Sequence, residues 1–358
     1  MKFAELPLPP FHDPEHAGSW SHQPDVQALF DLAPAWREEH AIALAGTDHL
    51  DLQLVLVDAQ RDFCLPGGAL YVGGRSGTGA VDDTRRLAAW IYRNLGSVTR
   101  ITATMDTHLA YQIFFASFWV DRSGRPLRPY RTVTAEQVRR GEARPNPAVA
   151  PWVAGGDLDW LRAEALHYCE ELEREGKYQL YLWPPHCLVG GDGHALVGVL
   201  QEARLFHSFV RAAESWTEFK GTNPLTEHYS ALGPEVTHTH DGRPHGGRNP
   251  KLVEALLDSD ALVVAGQASS HCVKATVEDL LREIQARDPA LAGRVYLLED
   301  CMSPVAVPDG AGGFLADFTP EADAALARFA AAGMRVVRST TPLRDWPGLS
   351  GNSRGPRP

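Results

Sequence analysis

Reactive side chains follow several apolar segments of this 358-residue sequence. Asp58 comes directly after LDLQLVLV, Asp106 ends VTRITATMD with His108 two positions later, Lys220 ends WTEFK, and Cys272 follows DALVVAGQ. The carboxyl ends of parallel strands share one edge of a sheet, and ligands bind beyond that edge. We therefore expect these side chains, distant in sequence, to lie close together.

Cys272 has the setting of a nucleophile. It precedes a predicted helix, whose dipole and free N–H groups favour a thiolate, and an ammonium such as Lys220 would lower the thiol pKa further. Asp58 could accept the thiol proton, and the amides of AGQASSHC could hold an oxyanion. Singly, each residue also fits an ordinary role: a buried apolar thiol, a turn cap, a surface cation.

A second cluster has the chemistry of metal ligands. Asp106, His108 and His186 offer one carboxylate and two imidazoles, a set that suits Zn²⁺, Mn²⁺ or Fe²⁺. Three protein ligands leave positions open for water and substrate. The two prolines before His186 stiffen its backbone, which favours an ordered role.

Alternating strands and helices must position these groups. Strands are predicted at LDLQLVLVD, VTRITATMD, YQLYLW, WTEFK, DALVVAGQ, RVYLLED and MRVVRS, and helices at 81–94, 158–175, 273–287 and 320–332. Continuous apolar strands between helices indicate burial on both faces. The pattern predicts a three-layer α/β/α, Rossmann-like fold with a mostly parallel sheet of about six strands.

The chain divides into a core and three additions. We expect an N-terminal extension over 1–48, a main α/β domain over 49–345 with an inserted subdomain at about 121–178, and a disordered tail over 346–358. A short helix is expected within 25–39. A loop with His238, His240 and His245 is predicted to be solvated.

Composition excludes several classes of protein. A formal charge of −11 argues against a nucleic-acid surface, and no run of 18 apolar residues predicts a membrane span. The N-terminus lacks the apolar core of a secretory signal. Five cysteines at wide spacing form no disulfide framework. A cytoplasmic protein with free thiols is expected, and the sequence leaves a homo-oligomer open.

Five motifs, in order, resemble those of the isochorismatase-like cysteine hydrolases, and within them the nicotinamidases. They cover about residues 50–300 and read DAQRDFCLPGGAL, ATMDTHLAYQIFFA, WPPHCLVGGDGHAL, FKGTNPLTEHYSAL and VVAGQASSHCVKATVEDL.

The resemblance implies a role for each matching position. It implies a catalytic triad of Asp58, Lys220 and Cys272, a cis peptide before Ala268, and an oxyanion hole formed by the amides of Ala268 and Cys272. It also implies three metal ligands and two aromatic residues flanking the substrate ring, which are Asp106, His108, His186, Phe63 and Trp183. Gln112 departs from the pattern, because the family often has a histidine there.

The function implied is hydrolysis of nicotinamide to nicotinate and ammonia through a Cys272 thioester, a reaction of NAD metabolism. The cofactor would be a divalent ion, Zn²⁺ before Mn²⁺ or Fe²⁺, and the partner a small-molecule amide. Two alternatives stay open. One is a metal-independent cysteine amidohydrolase acting on a carbamoyl or ureido compound. The other is a non-catalytic binding protein that uses the insertion as its contact surface.

Overall fold

A six-stranded parallel sheet forms the centre of the molecule. The computed structural model describes residues 3–175 and 178–349. The strands are β1 (Leu52–Val57), β2 (Arg100–Asp106), β3 (Thr217–Lys220), β4 (Ala261–Gly266), β5 (Val295–Leu298) and β6 (Arg335–Val337). Their order across the sheet is β6-β5-β4-β1-β2-β3, and every neighbouring pair is parallel. The predicted sheet is confirmed.

Both faces of the sheet are buried, as its apolar strands indicated. Along β1, Leu52, Leu54 and Leu56 contribute to one hydrophobic core, whereas Val55 and Val57 contribute to the other. Alternate residues of a strand point to opposite faces, so a continuous apolar run serves both cores. This arrangement is the three-layer architecture expected from the sequence.

Among the described residues, seven longer helices cover the sheet and the insertion. They are α1 (Val26–Glu39), α2 (Gly79–Arg93), α3 (Leu158–Glu175), α4 (Gly198–Arg211), α5 (Pro250–Leu257), α6 (Cys272–Arg287) and α7 (Thr319–Ala331). Helices α1, α2 and α4 pack together on one face, while α5, α6 and α7 cover the other. Four of these helices were predicted, at 81–94, 158–175, 273–287 and 320–332. Each predicted boundary lies within two residues of the observed one.

Short elements complete the chain. The short helices are Arg61–Cys64, Ala135–Arg139 and Ala150–Val153, and the 3₁₀ turns are Pro14–Gly18, Ala45–Thr47, Ala116–Phe118, Pro147–Val149, Asp192–His194, Pro289–Arg294, Glu299–Cys301 and Leu343–Asp345. Three antiparallel pairs lie outside the main sheet: Trp119–Val120 with Arg144–Pro145, Arg131–Val133 with Leu180–Leu182, and Ala306–Pro308 with Phe314–Asp317.

The segment YQLYLW is a strand, but it is not part of the central sheet. Its residues Leu180–Leu182 pair with Arg131–Val133, which belongs to the insertion. An antiparallel partner in the preceding segment 121–178 satisfies its backbone groups, so this strand does not need the central sheet.

Both ends of the described chain pack against the core. Helix α1 lies on α4, and residues of the extension such as Ala17, Leu29 and Trp36 are buried. Trp346 and Leu349, which the sequence analysis assigned to the tail, are also buried, whereas residues 350–358 lie outside the described residues. Over 3–175 and 178–349, no helix has the length and apolarity that a bilayer crossing needs.

Candidate active site

Three side chains from three strand ends meet at one edge of the sheet. The Lys220 Nζ lies 2.8 Å from Asp58 Oδ2 and 3.6 Å from Cys272 Sγ. The Cys272 sulfur is also within 4.8 Å of carboxylate oxygens of Asp58 and Asp106. Lys220 forms an ion pair with Asp106 and donates to the His228 carbonyl oxygen at 2.8 Å. The predicted convergence of thiol, ammonium and carboxylate is present in the structure.

The ends of β1 and β4 bring Asp58 and Cys272 together. Asp58 follows β1 with φ at +44°, and Cys272 is the first residue of α6. Gly266 ends β4 with φ at +120°, and a Cβ there would lie 2.1 Å from the Val57 carbonyl oxygen. Only glycine lets the two strands end this close to each other.

The thiol pKa is raised, contrary to the sequence expectation. Burial raises the pKa of Cys272 well above its ordinary value, and the charges of Asp58 and Asp106 add to this effect. The Lys220 ammonium acts in the opposite direction but does not prevail. Burial and two carboxylates outweigh one cation, so the resting thiol is protonated and needs a base to become a nucleophile.

Asp58 and Lys220 form a buried pair with opposite charges. Burial raises the pKa of Asp58, with Asp106 adding to the rise and Lys220 opposing it. The Thr104 hydroxyl donates to Asp58 Oδ1 at 2.6 Å and so favours the carboxylate. Burial alone would lower the pKa of Lys220, but Asp106 and Asp58 hold it well above its usual range. Lys220 is therefore a permanent cation beside a carboxyl group that can hold a proton.

Two backbone N–H groups are available beside the sulfur. The peptide between Gln267 and Ala268 is cis, as the resemblance implied. In the described part of the chain, no backbone carbonyl accepts from the amides of Ala268 or Cys272, while the Ala268 carbonyl accepts from His271 and Val273. Free amides next to a nucleophile are the donors that an oxyanion hole requires.

Asp106, His108 and His186 form a second convergent set. Their ligand atoms all lie within 4.8 Å of one another, and all three residues are buried. His108 Nδ1 is 3.1 Å from the Gly221 carbonyl and His186 Nδ1 is 2.8 Å from the Pro184 carbonyl. Each carbonyl can only accept, so both rings carry their proton on Nδ1 and turn a free Nε2 to the set.

The protonation states of this set suit a cation. Burial would raise the pKa of Asp106, but the Lys220 ammonium and the neighbouring His108 ring hold it well below its usual range. Burial and the neighbouring His108 lower the pKa of His186 to about 4. A carboxylate and neutral imidazole nitrogens are the forms that ligate Zn²⁺, so the residues present fit a divalent ion.

Gln112 does not join the donor set. Its Nε2 donates to the Gly221 carbonyl oxygen at 2.8 Å and lies 3.4 Å from His108 Nδ1. Gln112 therefore lies behind His108, on the side opposite Nε2, and its role is to support the Gly221 carbonyl. Because Gln112 stands where the family often has a histidine, three protein residues remain as candidate metal ligands.

One pocket joins the two clusters. Cys272, Ala268, Asp106, His108 and His186 all contribute to its wall. The predicted ring-flanking residues do so as well: Phe63 and Trp183 line the pocket and are buried. Aromatic walls around convergent polar groups are typical of small-molecule sites.

Several residues of the site were not identified from the sequence. Gln60 holds the backbone of Asp106, accepting from its N–H at 2.8 Å and donating to its carbonyl oxygen at 2.7 Å. Asp62 accepts from the Cys187 N–H at 2.7 Å and so fixes the segment that carries His186. Both residues lie in the motif DAQRDF, and their close spacing after Asp58 is the sequence feature that could have identified them.

The histidine-rich loop is largely exposed, as predicted, but two of its histidines are anchored to a buried carboxylate. Glu164 of α3 is fully buried and pairs with His240 Nδ1 at 2.9 Å and His245 Nε2 at 2.8 Å. The side chain of His245 is 2% exposed. A buried carboxylate needs hydrogen-bonding partners, and these two histidines supply them. Among the described residues, the loop adds no further metal-ligand cluster.

Comparison with known proteins points to amide hydrolases. No family model matches the sequence. The nicotinamidase of Escherichia coli (strain K12) is 29% identical over 236 residues, which are 64% of this chain and 76% of that protein. A nicotinamidase of Acinetobacter baumannii has 19% identity over 81% of this chain and 97% of its own, with a TM-score of 0.48. The yeast nicotinamidase has 19% identity over 80% and 99%, also with a TM-score of 0.48.

Proposed function

We propose that this chain is a nicotinamidase-like member of the isochorismatase-like superfamily and that it hydrolyses nicotinamide to nicotinate and ammonia. The observation that carries the proposal is the position of Cys272 Sγ. It lies 3.6 Å from the Lys220 ammonium, within 4.8 Å of the Asp58 carboxylate, and on the wall of the pocket that also holds Asp106, His108 and His186.

In the first step, Asp58 takes the proton of the Cys272 thiol and the sulfur attacks the carboxamide carbon. Lys220 makes this transfer feasible, because its charge stabilises the thiolate as it forms. The amides of Ala268 and Cys272 then hold the oxyanion, each worth about 3–4 kcal/mol in comparable acyl-transfer sites. The raised pKa of Asp58 suits the next step, in which its carboxyl returns the proton to the departing ammonia.

Water then cleaves the thioester. Asp58, again a carboxylate, accepts a proton from the attacking water, and the same two amides hold the second tetrahedral intermediate. Collapse of that intermediate breaks the C–S bond, Asp58 returns its proton to the Cys272 sulfur, and release of nicotinate restores the resting site. One carboxyl therefore acts in turn as base, acid, base and acid.

The pocket favours a heteroaromatic amide. Phe63 and Trp183 offer aromatic faces, and Asp106, His108 and His186 would hold a divalent ion, Zn²⁺ first by the donor set. When bound, such an ion supplies a ligand position for a ring nitrogen and so fixes the orientation of the ring. Linear ureido substrates would use neither the aromatic faces nor that position.

Ammonia release tests the proposal. Wild-type protein is assayed with nicotinamide, pyrazinamide and a set of ureido and carbamoyl compounds, before and after treatment with a chelator, and its metal content is measured alongside. We expect turnover of the pyridine carboxamide, loss of that turnover with the chelator, and metal loss in His186→Ala but not in His167→Ala. Turnover of ureido compounds by metal-free protein would replace the proposal with the metal-independent alternative. No turnover of any compound would favour a binding protein.

A further inference from the structure

A buried carboxylate on helix α2 contacts the segment that carries the amide of Ala268. Asp83 is 3% exposed, and its Oδ2 accepts from Gln267 Nε2 at 2.9 Å. Gln267 is buried as well, lines the pocket together with Cys272, and directly precedes Ala268. Asp83 has no part in the proposed mechanism. Because a buried carboxylate is costly unless its partners compensate, its contacts indicate what it does.

Asp83 fixes the orientation of the Gln267 side-chain amide. Burial raises the pKa of Asp83 to about 6, against hydrogen bonds from Ser303 and Gln267 and the charge of Arg86, which lower it. The group is therefore mainly a carboxylate at neutral pH and can only accept hydrogen bonds. Arg86 donates to its Oδ1 at 2.9 Å, and Gln267 donates to its Oδ2. The amide nitrogen of Gln267 thus faces Asp83, and the amide oxygen is left for another donor.

Ser303 is that donor, and it contacts both neighbours of Ala268. Its N–H donates to Gln267 Oε1 at 3.4 Å, and its carbonyl oxygen accepts from the Ser269 N–H at 2.9 Å. The bond to Oε1 is longer than the bond from Gln267 to the carboxylate, so Asp83 is the stronger anchor of this side chain. On the other side, the Gln267 N–H donates to the Val57 carbonyl oxygen at 2.8 Å. Hydrogen bonds therefore hold the residues on both sides of the Ala268 amide.

An oxyanion is stabilised most by donors that already point at it before the reaction begins. We propose that Asp83 is a positioning residue, which acts through Gln267 to hold the Ala268 N–H in the direction that the oxyanion requires. The inference rests on the proposed function and adds to it a residue that does not touch the substrate. Asp83 precedes Gln267 by 184 residues, so helix α2 would take part in the reaction from a distant part of the sequence.

The kinetic test compares Asp83→Leu with Asp82→Leu on the same helix. Asp82 is a matched control, because its side chain is 35% exposed and pairs with Arg85. We expect Asp83→Leu to lower kcat for nicotinamide by roughly tenfold to a hundredfold, less than the loss of a whole oxyanion donor, with KM changed by less than about twofold. Asp82→Leu should keep the wild-type kcat and KM, and both variants should keep the wild-type metal content.

Two inhibitors separate positioning from a general loss of packing. With pyridine-3-carbaldehyde, the Cys272 sulfur bonds to the carbonyl carbon, Asp58 takes the thiol proton, and the C=O π electrons move to the oxygen, which then lies in the oxyanion hole. Nicotinate binds without forming such an oxyanion. In Asp83→Leu the inhibition constant of the aldehyde should rise by roughly tenfold, while that of nicotinate should stay constant. Equal rises for the two inhibitors, or no rise for the aldehyde, overturn the inference.

A double-variant cycle tests whether Asp83 acts through Gln267. Gln267→Leu alone should reproduce the losses in kcat and in aldehyde affinity, and adding Asp83→Leu to it should change kcat by less than about twofold. Gln267→Leu also provides the test if Asp83→Leu does not fold. Effects of the two changes that multiply, or a wild-type kcat in Gln267→Leu, would contradict the inference. Absence of nicotinamide turnover in wild-type protein would contradict the proposed function instead.

Discussion

The charged groups of the site are buried together, so that opposite charges compensate one another. One ammonium, Lys220, is shared by two carboxylates, Asp58 and Asp106, and contacts the sulfur of Cys272. Each of these groups would be costly to bury alone, and together they set each other's protonation. Because the pKa values of both Cys272 and Asp58 are raised, the proton that passes between the thiol and the carboxyl is the one that moves most easily in the site.

Thr104 should set the acid limb of activity. Its hydroxyl donates to Asp58 Oδ1 and lowers the pKa of that carboxyl, so Thr104→Val removes a bond that favours the carboxylate. The base form of Asp58 would then be lost at a higher pH, and the acid limb of kcat/KM should move to higher pH in the variant. A pH-rate profile of both proteins measures this. An unchanged limb, or a shift to lower pH, would contradict the role of Asp58 as base.

At the scale of elements, strand ends and turns position these groups. The sequence predicted the parallel sheet, the four helices and the convergence of Asp58, Lys220 and Cys272, because apolar runs ending in reactive residues are visible in one dimension; the roles of these residues stay a prediction. It did not predict the raised thiol pKa, since burial depends on packing from other segments. Nor did it reveal Asp83 or Glu164, whose partners Gln267, His240 and His245 lie far away in sequence.

Gly221 should be required for the position of His108. A Cβ at Gly221 would lie 2.4 Å from His108 Cε1, whereas a Cβ at Gly67 would meet nothing within 4 Å. The two glycines have φ values of +80° and +83°, so alanine strains both backbones alike. We expect Gly221→Ala to lose bound metal and activity far more than Gly67→Ala does, as measured by metal analysis and kcat/KM. Equal effects would mean that backbone strain alone is responsible.

The hydrogen bonds between buried Glu164 and the loop histidines His240 and His245 should stabilise the packing of the histidine-rich loop on helix α3. Burial raises the pKa of Glu164, but hydrogen bonds from His245 and His240 bring it below its usual value. A depressed carboxyl pKa stabilises the fold above the unfolded-state value and loses that effect as pH falls through the folded-state value. Glu164→Gln should lower the free energy of unfolding by about 1–3 kcal/mol near neutral pH, and by less in acid. Denaturant titration at both pH values measures this, and an equal loss at each would contradict it.

At the scale of the whole molecule, the segments before β1 and after β6 pack into the hydrophobic core. Trp346 stacks near Trp90 and Tyr296, with ring centroids 5.9 Å and 5.1 Å away. Trp346 falls within 346–358, the segment expected to be a disordered tail. Its burial shows that the chain after β6 returns to the helical layer.

Trp346→Ala should therefore destabilise the protein strongly. Removing a buried indole typically costs about 3–5 kcal/mol, because the cavity does not fully collapse. Trp152→Ala is the matched control, since Trp152 is 49% exposed and its removal leaves no cavity. Thermal or denaturant unfolding compares the two. A loss in Trp152→Ala as large as that in Trp346→Ala would contradict the packing of the C-terminal segment.

The central claim is covalent catalysis by Cys272, and the most direct measurement is the mass of the protein trapped during turnover. Rapid acid quenching of wild-type protein with nicotinamide, followed by intact-mass and peptide analysis, should find a nicotinoyl group bound to Cys272. Cys272→Ala should form no adduct and should lose activity by at least about a thousandfold. Turnover by Cys272→Ala near the wild-type rate, or an acyl group on another residue, would contradict the account.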